Sequence, residues 1–319
     1  MTFTIGSDVE VFGINKVGKH IALCGKIGGT KEDPLQLADM PEGFMVQEDN
    51  VSLEFNIPVC HSLEDFVNAI GIMSERITGI LAAMDLDVSK NASVSFAEEE
   101  LHHPNALVFG CEPDYNAWTR RENDKPCAED KYLRTAGGHV HVGIDGVDML
   151  DGIRAMDLFI GIPSVLLDNS PEAKRRRLLY GKAGAMRPKP YGFEYRVLSN
   201  FWIFNPLLVE WVYNNTREAM VYVQNEVRHG KEVFTKEEAK RIQNCISSGD
   251  EAEATAIMKQ YNIPSPATTS SVHKVEKSKT SGASLAQLIA EGAPMPLNWD
   301  TAPVEWGFNT TEPQIDGVA

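Results

Sequence analysis

The chain is short of cysteine: five in 319 residues, with no two spaced C-x-x-C. That spacing argues against a disulfide framework and against a thiolate zinc site. Cys24, Cys60, Cys111, Cys127 and Cys245 read instead as scattered reduced thiols of a cytoplasmic protein. Long hydrophobic runs are missing too. A stretch such as 80–84 falls far short of the roughly 20 residues of a membrane span. The first eight residues have neither a basic start nor an apolar centre, so they are not read as a signal peptide. Positive charge is scarce: 30 Lys and Arg against 45 Asp and Glu leave a net charge of -15. Such a chain is a poor candidate for binding nucleic acid or an anionic membrane. It has no Walker A motif, no G-x-G-x-x-G and no internal repeat. ATP use through a P-loop or a Rossmann turn is therefore disfavoured.

What is present is an ordinary globular composition, 43% hydrophobic and 24% charged. Strands are expected at 3–12, 20–24, 51–57, 87–96, 137–143 and 193–198, from period-two alternation and flanking glycines. Ser62-Leu-Glu-Asp65 reads as a capping box opening a helix that runs to about Met84. Further helices are expected at 148–167, 205–228, 236–247 and 251–261. Residues 98–132 read as irregular. The order lacks strict βαβ alternation, which favours an α+β fold with a mainly antiparallel sheet. One domain is expected over 1–261. Residues 262–319 are polar and turn-rich and read as a loosely packed tail.

Four of the expected strands carry polar or ionisable residues two apart: Asp8 and Glu10; Ser52, Glu54 and Asn56; His139 and His141; Glu194 and Arg196. Alternation puts each set on one face, with Val9 and Val11, Leu53 and Phe55, Val140 and Val142, and Tyr195 and Val197 on the other. A solvated sheet face is the plain alternative. Carboxylates gathered from adjacent strands repel, however, and call for a cation. Glu10, Glu48, Glu54 and Glu194 with a histidine suit Mg²⁺ or Mn²⁺, since the donors are mostly hard oxygens.

A basic island interrupts the acidic chain. Residues 172–196 hold eight Lys and Arg against two Glu. Lys174 to Arg177 read as a solvated helix end or loop. Lys182 and Arg187 sit among glycines and lead into the strand with Glu194 and Arg196. Basic groups beside a metal-binding sheet suit a nucleoside triphosphate, whose phosphate oxygens need both metal and arginine.

Gly6-Ser-Asp-Val-Glu10, Glu48-Asp-Asn-Val-Ser-Leu-Glu54, Gly137-Gly-His-Val-His-Val-Gly143 and Tyr191-Gly-Phe-Glu-Tyr-Arg196 together resemble the phage-type COOH·NH2 ligases, or amidoligases, relatives of glutamate–cysteine ligase and glutamine synthetase. The resemblance spans about residues 1–230. It implies a glutamine-synthetase-like sheet shaped as a funnel, with helices on its other face, ATP entering one side and the carboxylate and amine substrates the other. It implies metal ligands at Glu10, Glu48, Glu54, His139 and Glu194. It also implies phosphate-holding arginines at Arg187 and Arg196, with His141 and Lys182 as helpers. Asp8 stands where some relatives have a second Glu, which leaves it either a shorter ligand or no ligand.

The expected activity is an ATP-dependent ligase that joins a carboxylate to an amine, from an amino acid, a peptide or a protein, through an acyl phosphate. A homo-oligomer is compatible with this. If the chain is phage-encoded, its compartment is the host cytoplasm. Two other classes stay open: a non-catalytic binding or structural protein retaining the ligase fold, and a metal-dependent hydrolase. The hydrolase explains the acidic sheet but not the basic island.

Overall fold

The computed structural model describes residues 3–107, 114–124, 129–228 and 233–264. The tail expected over 262–319 lies almost wholly outside these, as do Cys111 and Cys127. In chain order the strands are β1 (Phe3–Asn15), β2 (His20–Ile21), β3 (Leu35–Gln36), β4 (Met45–Asp49), β5 (Ser52–Asn56), β6 (Leu86–Ser89), β7 (Ser93–Ser95), β8 (Tyr115–Asn116), β9 (Arg121–Glu122), β10 (Leu133–Thr135), β11 (Gly138–Ile144), β12 (Ala185–Lys189) and β13 (Gly192–Tyr195). The helices are α1 (Leu63–Ala82), α2 (Met149–Met156), α3 (Ile162–Leu167), α4 (Pro171–Leu179), α5 (Pro206–Arg228), α6 (Lys236–Ser248) and α7 (Glu251–Gln260).

Among the described residues, eleven strands form one sheet in the order β3-β4-β5-β1-β11-β13-β12-β8-β9, with β2 and β6 also on β1. Every pairing in it is antiparallel. The fold is α+β with a mainly antiparallel sheet, as the element order implies. β1 is long because it serves two neighbourhoods. Residues 3–9 pair with β11 and residues 8–11 with β5, and its last residues pair with β6 and β2.

Alternation decides which face is buried. Val9, Val11, Leu53, Phe55, Val140, Val142, Phe193 and Tyr195 are all at most 1% exposed. They share one core with residues of α1, α2 and α5, such as Phe66, Ile153 and Val212. Phe66 stacks on Trp202 at 5.9 Å between ring centroids. Trp202 in turn donates from Nε1 to the Gly138 carbonyl at 3.2 Å. A Cβ on Gly138 would lie 2.6 Å from both that nitrogen and the Ser199 carbonyl oxygen, so only glycine admits this contact.

Several expectations change in detail. At α1, Ser62 Oγ accepts the Asp65 N–H as expected, but the Asp65 carboxylate turns back to the His61 N–H rather than closing the box on Ser62. The helix expected over 148–167 widens at Asp157–Gly161 into a single π turn. Pro163 has no N–H to continue the ladder, and such wide turns break it locally. The strand expected over 87–96 is two strands with different partners, β6 on β1 and β7 on β10. The basic residues read as a solvated helix end lie on α4, yet Arg176 and Arg177 are buried. They donate to main-chain carbonyls: Arg176 to Val197, and Arg177 to Ser164 and Asp168.

Candidate active site

The polar face of the sheet carries one continuous row of ionisable side chains. Directly opposite residues on neighbouring strands share a face, and the register does the rest. Gln47 stands opposite Glu54, and Glu54 opposite Glu10. Asp8 stands opposite His139, His141 opposite Glu194, and Glu194 opposite Arg187. Arg196 follows two residues after Glu194, and its N–H bonds the Ala185 carbonyl at 3.0 Å, holding it beside β12.

The row is buried and tightly connected. His139 Nδ1 lies 2.9 Å from Asp8 Oδ1, and His141 Nε2 lies 3.1 Å from Asp8 Oδ2. His141 Nδ1 lies 2.6 Å from the Tyr191 hydroxyl. Glu194, with no exposed surface, meets Arg187 at 3.3 Å, Lys189 at 3.5 Å and Arg196 in closer contact. Arg196 Nε also lies 3.3 Å from Asp114. Glu10 accepts the Gly137 N–H at 2.7 Å, and Glu54 accepts from Gln47 at 2.9 Å.

The two ends of the row differ in charge. Burial alone would raise Glu194, but Arg187 and Arg196 hold its carboxyl well below the usual range. Burial also opposes ionisation of Asp8, and His141 and His139 overcome it in the same direction. At the other end burial wins. It pushes Glu10 up to about 7, helped by the charge of Asp49. It pushes Glu54 well above its usual value, helped by Asp8, Asp49 and Glu10. His139 is held down to about 4, first by burial and then by Arg196.

Two groups on this face bring three potential ligand atoms within 4.8 Å of one another: Asp8, His141 and Glu194; and Glu10, Asp49 and Glu54. Their donors, five carboxylates and one imidazole, are the hard, oxygen-rich set that suits Mg²⁺ or Mn²⁺. The raised acids at the Glu54 end add to this fit, because a divalent cation would supply the missing counter-charge.

The structure thus brings Glu10, Glu54, His139, His141, Glu194, Arg187 and Arg196 together on one face. Three assignments change. Glu48 points away: the β4–β5 register puts it opposite Leu53, and its carboxylate accepts the N–H groups of Gly25, Ile27 and Gly28 at 2.7–2.9 Å. Its neighbour Asp49, on the row's side of β4, offers an oxygen within 4.8 Å of those of Glu10 and Glu54. His141, rather than His139, falls within the ligand trio. Lys182 lies in the turn before β12, half-buried, and shares no strand position with the row.

Four contributors were missed from sequence: Asp49, Lys189, Asp114 and Tyr191. Asp49 adjoins Glu48 and Lys189 is two residues from Arg187, so their spacing was the available signal, whereas Asp8, left open above, joins the row beside His139 and His141. Asp114 and Tyr191 come from a hairpin and a turn, where alternation says nothing.

Residues 130–262 match the family model described as phage phiEco32-like COOH.NH2 ligase-type 2. The resemblance to phage-type COOH·NH2 ligases holds over those residues, so it begins after the Asp8 and Glu54 motifs and runs past residue 230. No curated protein sequence matches the chain. A crystal structure of a bifunctional glutathione synthetase from Pasteurella multocida aligns with 82% of this chain at 10% identity and a TM-score of 0.39. The alignment covers 49% of that protein, so the chain spans about half its length.

Proposed function

We propose, from the match of residues 130–262 to the phage-type COOH·NH2 ligases, that the chain is an ATP-dependent carboxylate–amine ligase working on the polar face of its sheet, as an α+β ligase of the glutamine-synthetase-like, funnel-shaped kind. The observation that carries this reading is the row itself, acidic at Glu10, Asp49 and Glu54 and basic at Arg187, Lys189 and Arg196. A triphosphate needs both ends: oxygen ligands for its metals and planar guanidinium groups for the phosphoryl that moves.

In this reading Glu10, Asp49 and Glu54 hold one Mg²⁺ or Mn²⁺, and Asp8, His141 and Glu194 a second. Bound metal supplies charge neutralisation for the phosphate oxygens. Arg196 and Arg187 hold the γ-phosphoryl while a substrate carboxylate oxygen attacks phosphorus and ADP leaves. This gives an acyl phosphate, which the amine then converts to an amide with release of phosphate. Arg196 is oriented for this by its contact with Glu194. Preorganised charge of this kind is worth about 10²–10³ in rate per donor. His139 stands between Asp8 and Arg196 and links the two halves of the row. The domain is assigned to 1–261.

The test is calorimetry with ATP. Bare carboxylates repel a triphosphate, so binding is expected with Mg²⁺ or Mn²⁺ and at least about tenfold weaker binding, some 1.4 kcal/mol, in chelator. Equal affinity in both conditions would remove the metal-bridged site and leave a plain binding protein as the better reading.

A further inference from the structure

Among the described residues, one carboxylate beside this row belongs to neither ligand trio. Asp114 reaches the row from outside the central strands, at the start of the β8–β9 hairpin on the sheet's edge. Its Oδ1 lies 3.3 Å from Arg196 Nε, yet it is buried and accepts no hydrogen bond in that geometry. Its Oδ2 accepts from Asn123 at 3.1 Å. The hairpin is pinned in place. Asn116 donates to the Ala183 carbonyl at 2.9 Å, Trp118 Nε1 donates to Asp157 at 2.6 Å, and Arg154 donates to the Ala117 carbonyl at 2.8 Å. A side chain held on so anchored an element is positioned rather than wandering.

Amide formation needs such a group. An aliphatic amine is protonated in neutral water, and an ammonium has no lone pair to attack an acyl carbon. Among the described residues the other acids near the row have roles already: the reading above gives the two trios to metal ions, and Glu48 is filled by backbone amides. Asp114 is the acid beside the arginine that would hold the phosphoryl, and it has an oxygen still lacking a donor.

We propose that Asp114 is the amine subsite: it receives the substrate's ammonium beside Arg196 and takes one proton from it. The proposal rests on the ligase reading above. The step balances as follows. The ammonium gives one proton to the Asp114 carboxylate and becomes a neutral amine. Its nitrogen lone pair forms the C–N bond, and the bond between the acyl carbon and the phosphate oxygen breaks with its electron pair leaving on phosphate. The second nitrogen proton goes to that phosphate, which departs as HPO₄²⁻. Asp114 then returns its proton to water.

The test compares two amines on the full chain with ATP, Mg²⁺ and a panel of common amino acids as carboxylates. Putrescine is cationic at neutral pH, and hydroxylamine is largely uncharged and needs no base. Asp114→Asn is expected to lower amide formation with putrescine by about 10²-fold or more, the scale of a lost general base. Hydroxamate formation should fall at least about tenfold less than amide formation does, because hydroxylamine needs no proton removed before attack. Equal losses with both amines would make Asp114 a positioning residue for Arg196 and overturn the proposal, and so would no loss with either. Asp114→Glu keeps the acid and should exceed Asp114→Asn with putrescine in samples of matched melting temperature. If it does not, the proposal also fails. Wild-type protein that forms hydroxamate with none of the panel would instead bring down the ligase reading itself.

Discussion

Asp157 is a fully buried acid on the side of the sheet away from the row. Its two oxygens accept from Trp118 Nε1 at 2.6 Å and from the Tyr195 hydroxyl at 2.9 Å. Those bonds favour the anion, but burial outweighs them and pushes its carboxyl up to about 7. The linkage sign follows. Between the ordinary value of 3.8 and about 7, the folded chain keeps a proton that the unfolded chain has released. Stability from this group is therefore fully present below the unfolded value and is lost as pH rises towards 7, by at most on the order of 4 kcal/mol. Asp157→Asn stays neutral and can still bond Trp118 and Tyr195. Denaturation of wild type and variant at pH 5 and pH 8 should show the variant losing less stability between the two. Parallel curves would mean that Asp157 does not titrate in this window. None of this could be read from sequence, because Asp157 sits in an apolar helical stretch whose partners come from a distant hairpin and strand. Asp8, Glu10, His139 and His141 were legible for the opposite reason: two-residue spacing in a strand fixes a shared face whatever the partners are.

At the scale of elements, the limits of that logic are set by register. Glu48 and Asp49 are neighbours, and a one-residue change exchanges their faces. The β4–β5 turn passes through Asn50 at φ 55° and pairs Asp49 with Ser52, which turns Asp49 to the row and Glu48 to the loop amides. β12 was hidden because Pro188 and its basic neighbours look like a loop. The strand is tolerated because it pairs with β13 and only briefly with β8. The glycines before the histidine pair signalled close approach, and the structure shows what approaches. Gly138→Ala would drive a Cβ to 2.6 Å from the Ser199 carbonyl and Trp202 Nε1. Both contacts are buried, so the strain has no cheap outlet. A loss of about 1–3 kcal/mol in denaturant unfolding is expected, with His139 displaced because β11 carries both residues. An unchanged midpoint would show that Trp202 can repack freely.

At the scale of the whole molecule, the family match and the physical unit have different limits. The match starts at residue 130, but β11 within it pairs along most of its length with β1, and β1 supplies Asp8 and Glu10. The main core likewise joins Ile5, Val9, Leu53 and Phe66 to Val140, Phe193, Trp202 and Ile257. A fragment of residues 130–264 would expose the β1-facing edge of β11 and the apolar surface under α1, so it should aggregate or remain unfolded. The opposite cut has a different expectation. Among the described residues the core ends at Ile263, which is 6% exposed, and each residue of the row lies before it. Residues 1–264 should therefore melt cooperatively within a few degrees of the full chain and bind ATP with the same dependence on Mg²⁺. Two calorimetric measurements decide this: a thermal scan of each fragment, and an ATP titration of 1–264. A cooperative transition in 130–264 would mean that the family segment is a domain by itself. Loss of the transition or of ATP binding in 1–264 would mean that the remaining residues belong to the folded unit.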